Sequence, residues 1–248
     1  MKTFSKTDTG RRRDMNQDYK YTSETPVGNL PNLFILADGM GGHNAGDYAS
    51  RYTVEMIVDS VRNSSDTSPA AIIRQAIGRA NQAVMEKART DIDLEGMGTT
   101  VVVATVQDRE LCVANVGDSR LYLVCRESLT QITKDHSYVQ EMVRRGEISP
   151  EAARLHPDRN IITRAVGGGY GIEVDFFEVE LKEGDQILMC SDGLTDMLED
   201  EEIFEIINEK QNTEDAVREL IEAANDYGGN DNITVILTEP FSGEVKIC

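Results

Sequence analysis

Four aspartates adjoin short apolar runs that are typical of buried strands, and glycine lies beside or close to each of them. The four are Asp38, Asp118, Asp192 and Asp231. If these strand ends meet at one end of a sheet, the carboxylates repel one another and raise each other's pKa, so their convergence requires cations. Oxygen ligands without cysteine or histidine at matching spacing favour Mg²⁺ or Mn²⁺ over Zn²⁺. The pattern therefore predicts a divalent-cation site.

A single Asp-Gly pair indicates no more than a turn, because both residues are common turn formers. Two further features favour the cation site: the number of such acids at strand ends, and four glycines within eight residues after Asp38 in ILADGMGGHNAGD. Glycine beside an acid lets the backbone approach closely and leaves a carbonyl free to face a metal or its water.

The elements that must position these acids are both strands and helices. Runs rich in Val, Ile, Leu and Thr predict strands at residues 33–37, 99–106, 110–116, 121–126, 187–190 and 232–238. Apolar residues three and four apart predict helices at residues 49–61, 70–88, 201–210 and 214–225, the last two with Asp200 and Thr213 as N-caps. Short connections between the central strands favour antiparallel pairing, because a parallel crossover needs a dozen or more residues.

A polar insert at residues 135–166 separates the central strands from the later ones. Residues 138–145 and 150–154 are predicted to form short helices, with Gly146 ending the first and Ser149-Pro150 starting the second. We expect this insert to lie on the surface. Its two histidines, His136 and His156, are expected to have surface roles.

Composition and charge narrow the function classes. Lys and Arg number 25 and Asp and Glu number 44, so the net charge is 25 − 44 = −19. Such a field repels nucleic acid and anionic lipid, and the longest basic block is only Arg11-Arg12-Arg13. We therefore expect no nucleic-acid partner.

Chain length and cysteine usage predict one cytoplasmic domain spanning residues 1–248. The four cysteines show no CxxC spacing, which favours buried thiols in a reducing compartment over a zinc site. No apolar run approaches the roughly 20 residues of a spanning helix, and the first residues lack an apolar signal core. We expect no membrane insertion and, without a broad apolar helix face, a monomer.

Six sequence blocks resemble, in family order, the metal-dependent serine/threonine protein phosphatases of type 2C, particularly the bacterial branch. The blocks are RDMNQD from Arg13, DGMGG from Asp38, GTT from Gly98, NVGDSR from Asn115, SDGL from Ser191 and GNDNIT from Gly229. The resemblance spans nearly the whole chain. It implies an α+β fold, a four-layer α/β/β/α sandwich of two antiparallel sheets flanked by antiparallel helix pairs, with a mobile flap at about residues 135–166.

The resemblance also implies a metal centre. Two Mn²⁺ or Mg²⁺ ions would be bridged by Asp38, with the Gly39 carbonyl assisting at one ion and Asp192 and Asp231 at the other. Asp118 matches the position that, together with Asp192, holds a third and weaker ion in bacterial members.

Two further residues match family positions with catalytic roles. Asp18 matches an acid that holds water on the metal, and Arg13 matches the arginine that receives the substrate phosphate. Two cations about 4 Å apart can share a water, lower its pKa and aim the resulting hydroxide at phosphorus. An arginine fork matches phosphate oxygens and neutralises the charge that develops on them.

The general acid is less clear from the sequence. Several eukaryotic relatives carry a histidine where this chain has Met40, and that histidine is proposed to protonate the leaving alkoxide. Methionine cannot donate this proton, although bacterial members often share it. His43 and a water on the third metal are equal candidates for the role.

The resemblance therefore implies hydrolysis of phosphoserine and phosphothreonine monoesters in proteins, in opposition to a bacterial Ser/Thr kinase. The alternative is a catalytically silent relative that binds phosphoproteins and regulates them; it is disfavoured because Asp38, Asp192 and Asp231 are all present. A two-metal phosphodiesterase or nuclease is disfavoured by the net charge and the lack of a basic groove.

Overall fold

The chain folds into eleven strands and seven helices within the part that the computed structural model describes, residues 1–42 and 45–242. In chain order the strands are β1 (Lys2–Asp8), β2 (Asp18–Ser23), β3 (Leu33–Met40), β4 (Gly98–Thr99), β5 (Val101–Gln107), β6 (Glu110–Val116), β7 (Arg120–Val124), β8 (Leu129–Gln131), β9 (Asp175–Glu180), β10 (Gln186–Cys190) and β11 (Ile233–Glu239). The helices are α1 (Ala45–Arg62), α2 (Pro69–Thr90), α3 (Tyr138–Arg144), α4 (Pro150–Arg154), α5 (Asp192–Thr195), α6 (Asp200–Glu209) and α7 (Thr213–Asp226).

The strands form two antiparallel sheets. One sheet has the order β1-β11-β10-β7-β8, and the other has the order β2-β3-β5-β6-β9, with the short β4 paired to β3. All strand pairs in the described residues are antiparallel. The antiparallel arrangement predicted from the short connections is confirmed.

Alternation along β3 explains how the layers stack. Leu33, Ile35 and Ala37 face α1 and α2, whereas Phe34 and Leu36 face the other sheet, because successive side chains of a strand point to opposite sides. The outer face of the sheet β1-β11-β10-β7-β8 packs in the same way against α6 and α7. The result is the predicted order of helices, sheet, sheet and helices, with a hydrophobic core at each of the three interfaces.

The predicted elements agree with the observed ones within a few residues, apart from two helix caps. The N-cap of α6 is Glu199 rather than Asp200, and its side chain and that of Glu202 form a capping box. The N-cap of α7 is Asn212 rather than Thr213, because the Asn212 side chain accepts a hydrogen bond from the Asp215 N–H. Four strands, β1, β2, β8 and β9, were not predicted.

The insert contains the two predicted short helices, α3 and α4. Its ends meet at the base, where Tyr138 N–H donates to the Ile161 carbonyl and Thr163 N–H donates to the His136 carbonyl, both at 2.8 Å. The expectation of a wholly surface-exposed insert is wrong at this base: the His136 side chain is only 4% exposed. No helix of the described residues has the length and apolar character needed to cross a membrane.

Candidate active site

Asp38 lies near the end of β3, and its backbone is fully engaged. Its N–H donates to the Thr100 hydroxyl at 3.0 Å, while its carbonyl accepts from the Thr99 hydroxyl at 2.7 Å and the Thr100 N–H at 2.9 Å. Burial raises the pKa of Asp38 well above its ordinary value, and the nearby carboxylates of Asp18 and Asp192 raise it further. The strand thus presents a carboxylate whose charge needs a partner.

Gly39 follows in the same strand and is packed tightly. Its N–H donates to the Gln17 carbonyl at 3.0 Å, and a Cβ here would overlap the Gly46 carbonyl oxygen at the start of α1. No side chain larger than hydrogen fits between β3 and α1 at this point, so the end of β3 and the helix meet through their backbones.

Asp18 lies opposite Asp38 in the register of β2 and β3. One carboxylate oxygen accepts hydrogen bonds from Ser191 Oγ at 2.8 Å and Thr234 Oγ1 at 2.6 Å, two hydroxyls that belong to the other sheet. Burial raises the pKa of Asp18 to about 6, although the two hydroxyls favour the ionised form. Asp18 therefore joins the two sheets beside Asp38.

Asp192 begins α5 directly after β10, and Asp231 lies just before β11. A Cβ on Gly193 would overlap the carbonyl oxygen of Asn232, so the two backbones are in direct contact at this point. Burial raises the pKa of Asp192 well above its ordinary value, with Asp118 as the largest of the neighbouring charges. This close packing brings acids that are 39 residues apart in sequence to the same place.

Asp118 is the third of these acids, after Asp192 and Asp231, and lies in the turn between β6 and β7. The turn requires glycine, since Gly117 has φ +112° and a Cβ there would lie 2.6 Å from the Thr100 Cβ. Asp118 is 9% exposed, and burial raises its pKa to about 7, with a further contribution from the charge of Asp135.

Arg13 reaches the same group from the segment between β1 and β2. Its Nη2 donates to Asp231 Oδ2 at 2.7 Å, and its side chain is 51% exposed. The hydrogen bond to Asp231 raises the pKa of Arg13, so the guanidinium remains charged at the mouth of the site. Its remaining N–H groups are available to an anion.

All five predicted acids are close enough to influence one another: burial raises the pKa of Asp38 most, and the other four acids raise it further. Oδ1 of Asp18, of Asp118 and of Asp192 is buried without a hydrogen-bond partner among the described residues. Orphaned, mutually repelling carboxylate oxygens fit a hard divalent cation.

The arrangement is not a closed metal cage. Across residues 1–42 and 45–242, no three acidic, histidine or cysteine side chains gather into a ready-made set of ligands. A zinc site of cysteines and histidines does not fit these residues.

One histidine, His136, differs from its expected role. His43 lies outside the described residues. His136, expected on the surface, is buried, and its Nδ1 accepts a hydrogen bond from the Gly117 N–H at 3.0 Å. Its Nε2 lies 3.2 Å from Asp175 Oδ2. His136 therefore supports the turn that carries Asp118.

Sequence reasoning did not single out the hydroxyl residues that hold the acids. Thr100, Ser191 and Thr234 bind Asp38 or Asp18, and all three are fully buried. Their signal in the sequence is a polar residue within or next to a run of apolar ones, which is costly unless the hydroxyl has a partner.

A cleft of about 340 Å³ extends from Asp118 and Asp192 towards the insert. On its far wall Arg154 pairs with Glu199 at 3.0 Å, and Arg159 pairs with Asp196 at 3.5 Å. These ion pairs connect the insert, called the flap below, to the segment between α5 and α6.

Comparisons with known proteins show the family of the chain. A family model described as "Protein phosphatase 2C" matches residues 8–238. The serine/threonine phosphatase stp of Listeria monocytogenes is 43% identical over 238 residues, covering 94% of each protein. Protein phosphatase PhpP of Streptococcus pneumoniae is 39% identical over 236 residues, covering 93% of this chain and 94% of that protein.

Solved structures share the fold. The serine/threonine phosphatase Stp1 from Staphylococcus aureus has a TM-score of 0.89 at 36% identity, covering 95% of this chain and 93% of that chain. The catalytic domain of the serine/threonine protein phosphatase PstP, solved in complex with two manganese ions, has a TM-score of 0.83 at 35% identity, covering 95% and 96%. The predicted α+β sandwich is confirmed, and the chain belongs to the protein phosphatase 2C family.

Proposed function

We propose that the carboxylate cluster holds divalent cations and hydrolyses phosphoserine and phosphothreonine monoesters in proteins. As a member of the 2C family the chain is a serine/threonine protein phosphatase. The observation that carries the proposed chemistry is the meeting of Asp38, Asp192 and Asp231 with Arg13 in one site. The two manganese ions of PstP support the choice of Mn²⁺ or Mg²⁺.

In this proposal two cations would be held by Asp38 together with the Gly39 carbonyl, Asp192 and Asp231. Asp118 contributes, together with Asp192, to a weaker third site. When bound, the pair of ions supplies a water of lowered pKa for attack on phosphorus.

The remaining residues position the reactants. Asp18 has one oxygen held by Ser191 and Thr234, and the other would position a water beside Asp38. Arg13 donates to the phosphate oxygens and offsets the charge that develops on them. Its contact with Asp231 keeps the guanidinium over the site before the substrate binds.

The proton for the leaving alkoxide has two candidate sources. One is His43, and the other is a water of the weaker third site. Met40 has no proton to donate. The Nδ1 of His136 already accepts a hydrogen bond from the Gly117 N–H, so this nitrogen is not a proton donor.

Asp192→Asn tests the proposed chemistry. We expect turnover of a phosphothreonine peptide with Mn²⁺ by the wild-type protein, no turnover in chelator, and at least a roughly 100-fold lower kcat in the variant, because a ligand charge is lost. Asp59→Asn, on the exposed far end of α1, is the matched control and keeps full activity. Equal turnover in chelator, or full activity of Asp192→Asn, contradicts the mechanism.

We further propose that the substrates are phosphorylated proteins, including a bacterial Ser/Thr kinase, and that the chain acts as a monomeric single domain in the cytoplasm. The free thiols of Cys112, Cys125 and Cys190 support a reducing compartment. The silent phosphoprotein-binding alternative is not favoured, because the acids that a degenerate relative would lose are present and converge.

A further inference from the structure

The segment between β1 and β2 carries three consecutive arginines, of which only Arg13 has an acidic partner in the described residues. Arg11 and Arg12 are exposed, and neither side chain forms an ion pair or hydrogen bond with the described part of the chain. In a protein of net charge −19, two unpaired guanidinium groups beside the candidate active site are unusual.

The backbone of these arginines is held firmly. The N–H groups of Arg11 and Arg12 both donate to the Gly229 carbonyl, at 2.8 and 3.2 Å. Gly10 has φ +79°, and a Cβ there would overlap the Asp231 carbonyl oxygen. The arginine segment is therefore packed against the same 229–231 segment that presents Asp231 to the site.

Both ends of the arginine segment are hydrogen-bonded to the same region. The side-chain amide of Asn232 donates to the carbonyls of Thr9 and Met15, both at 2.9 Å. A single residue next to Asp231 thus fixes both sides of the arginine segment. Because the backbone does not have to be ordered on binding, the side chains of Arg11 and Arg12 can attract an anion at a low entropic cost.

The spacing suits a peptide. Consecutive Cα atoms are about 3.8 Å apart, so the Cα atoms of Arg11 and Arg13 are at most roughly 7.6 Å apart. An extended peptide advances about 3.3 Å per residue, so a side chain two or three residues from the reacting phosphoresidue lies roughly 7–10 Å along it. The Cα atoms of Arg11 and Arg12 therefore lie within that length of the Arg13 Cα.

We propose that Arg11 and Arg12 form a subsite for acidic side chains, Asp or Glu, located two or three residues from the phosphoserine or phosphothreonine. The inference rests on the proposed function and adds a substrate preference to it. The net charge of −19 opposes the approach of an acidic peptide, so the local attraction selects how such a peptide is oriented as well as which peptide binds.

The test compares two phosphothreonine peptides that differ only in their flanks, aspartates at two and three residues or serines at the same positions. We expect wild-type protein with Mn²⁺ to favour the acidic peptide in kcat/KM. In the double variant Arg11→Gln, Arg12→Gln, this preference falls by about two- to thirtyfold, the range expected for two exposed ion pairs. Most of the change is in KM, since the flank does not react.

The matched control is Arg62→Gln with Arg126→Gln, which removes the same charge. Both arginines are exposed: Arg62 is the last residue of α1, and Arg126 lies in the turn after β7. This control keeps the wild-type preference. A second measurement needs no variant: the preference declines as salt rises, since the Debye length falls from about 10 Å at 0.1 M to about 3 Å at 1 M.

Three outcomes overturn the inference: no acidic preference in the wild type, a preference that survives in the Arg11→Gln, Arg12→Gln variant, or an equal loss in the control. If the proposed function itself is wrong, the result differs: the wild type turns over neither peptide with Mn²⁺. Turnover of the serine-flanked peptide separates the two cases.

Discussion

Asp18 shows how one side chain can serve both the fold and the site. Its Oδ2 accepts hydrogen bonds from Ser191 and Thr234, on the opposite sheet, while its Oδ1 is buried without a partner in the described residues. A purely structural carboxylate would have both oxygens satisfied, because an orphaned buried oxygen costs about 1–3 kcal/mol. The unpaired oxygen is therefore expected to bind something that the protein chain does not supply.

His136 is a second residue that supports the site, through the turn that carries Asp118. Its Nδ1 accepts from the Gly117 N–H, so in the neutral ring the proton lies on Nε2, which faces Asp175. Burial lowers the pKa of His136 and the charge of Arg164 lowers it further, while Asp175 and Asp135 oppose the shift. A protonated Nδ1 could no longer accept the Gly117 hydrogen bond.

The lowered pKa of His136 predicts a pH dependence of stability. The unfolded chain binds this proton near pH 6.5, and the folded chain binds it only at lower pH, so the stability that neutral His136 contributes is present above about pH 6.5 and is lost as the pH falls. We expect His136→Gln to reduce the free energy of unfolding more at pH 7.5 than at pH 5.5. Thermal unfolding of both proteins across this range checks the sign, and a loss that grows towards acid pH would contradict it.

At the scale of elements, glycine decides how closely a strand end and a helix start can pack. Gly193, in α5, lies against the Asn232 carbonyl, whereas Gly78, in the middle of α2, has open space where a Cβ would be placed. The two positions contain the same residue for different reasons. At Gly193 the close approach brings Asp192 and Asp231 together, and at Gly78 nothing in the packing requires glycine.

Alanine at these two glycines is expected to have opposite effects. Gly193→Ala forces the α5 and β11 segments apart and should lower the free energy of unfolding by about 1–3 kcal/mol. Gly78→Ala removes backbone freedom from the unfolded chain and should raise it by about 0.5–1 kcal/mol. Chemical denaturation measures both, and equal effects of the two substitutions would show that the contact at Gly193 is not limiting.

Two ion pairs join the flap to the segment between α5 and α6. Arg154 pairs with Glu199 and also donates to the Leu198 carbonyl at 3.5 Å, and Arg159 pairs with Asp196. These side chains are about one-third to one-half exposed, so each ion pair contributes about 0.2–1 kcal/mol at most. We therefore expect the flap to open without unfolding of the sandwich.

Removing both arginines should loosen the flap selectively. In Arg154→Ala with Arg159→Ala, we expect faster amide hydrogen exchange across α4 and little change in β10 and β11. Arg144→Ala with Arg145→Ala is the control, because those arginines pair with Glu141 inside the flap. If both double variants accelerate exchange in α4 equally, the ion pairs to the segment after α5 do not hold the flap.

At the scale of the whole molecule, the acidic charge and the carboxylate cluster act in the same direction. A net charge of −19 opposes the compact state through self-repulsion, and gathering five aspartates in one site adds to that cost. A bound divalent cation reduces both the self-repulsion of the chain and the cost of gathering the aspartates. Cation binding and folding stability should therefore be linked.

Mn²⁺ is expected to raise the Tm of the wild-type protein. A concentration of about 100 times Kd stabilises the folded state by about 2.7 kcal/mol, which corresponds to roughly 5–10 °C for a chain of this size. NaCl at the same ionic strength should give a smaller shift, and Asp192→Asn should lose most of the Mn²⁺-specific part. A thermal-shift assay without substrate measures this, and an undiminished shift in Asp192→Asn would place the cations elsewhere.

The sequence by itself determined the buried strands, the long helices and the types of residue in the site. Periodicity is a local property, so β3, β6, α2 and the two flap helices can be predicted from their own residues. The four strands that were missed, β1, β2, β8 and β9, are the edge strands of the two sheets. Edge strands are half exposed and carry no continuous apolar run, so their pairing depends on a neighbour distant in sequence.

Only the tertiary structure decided which polar residues meet. Asp18 faces Ser191 and Thr234 from the opposite sheet, and His136 is buried against Gly117 although its own segment is polar. No local pattern contains this information, because each contact joins residues that only the stacking of the sheets brings together. The sequence supplied the carboxylates, and the face-to-face packing of the two sheets around Asp38 made them a single site.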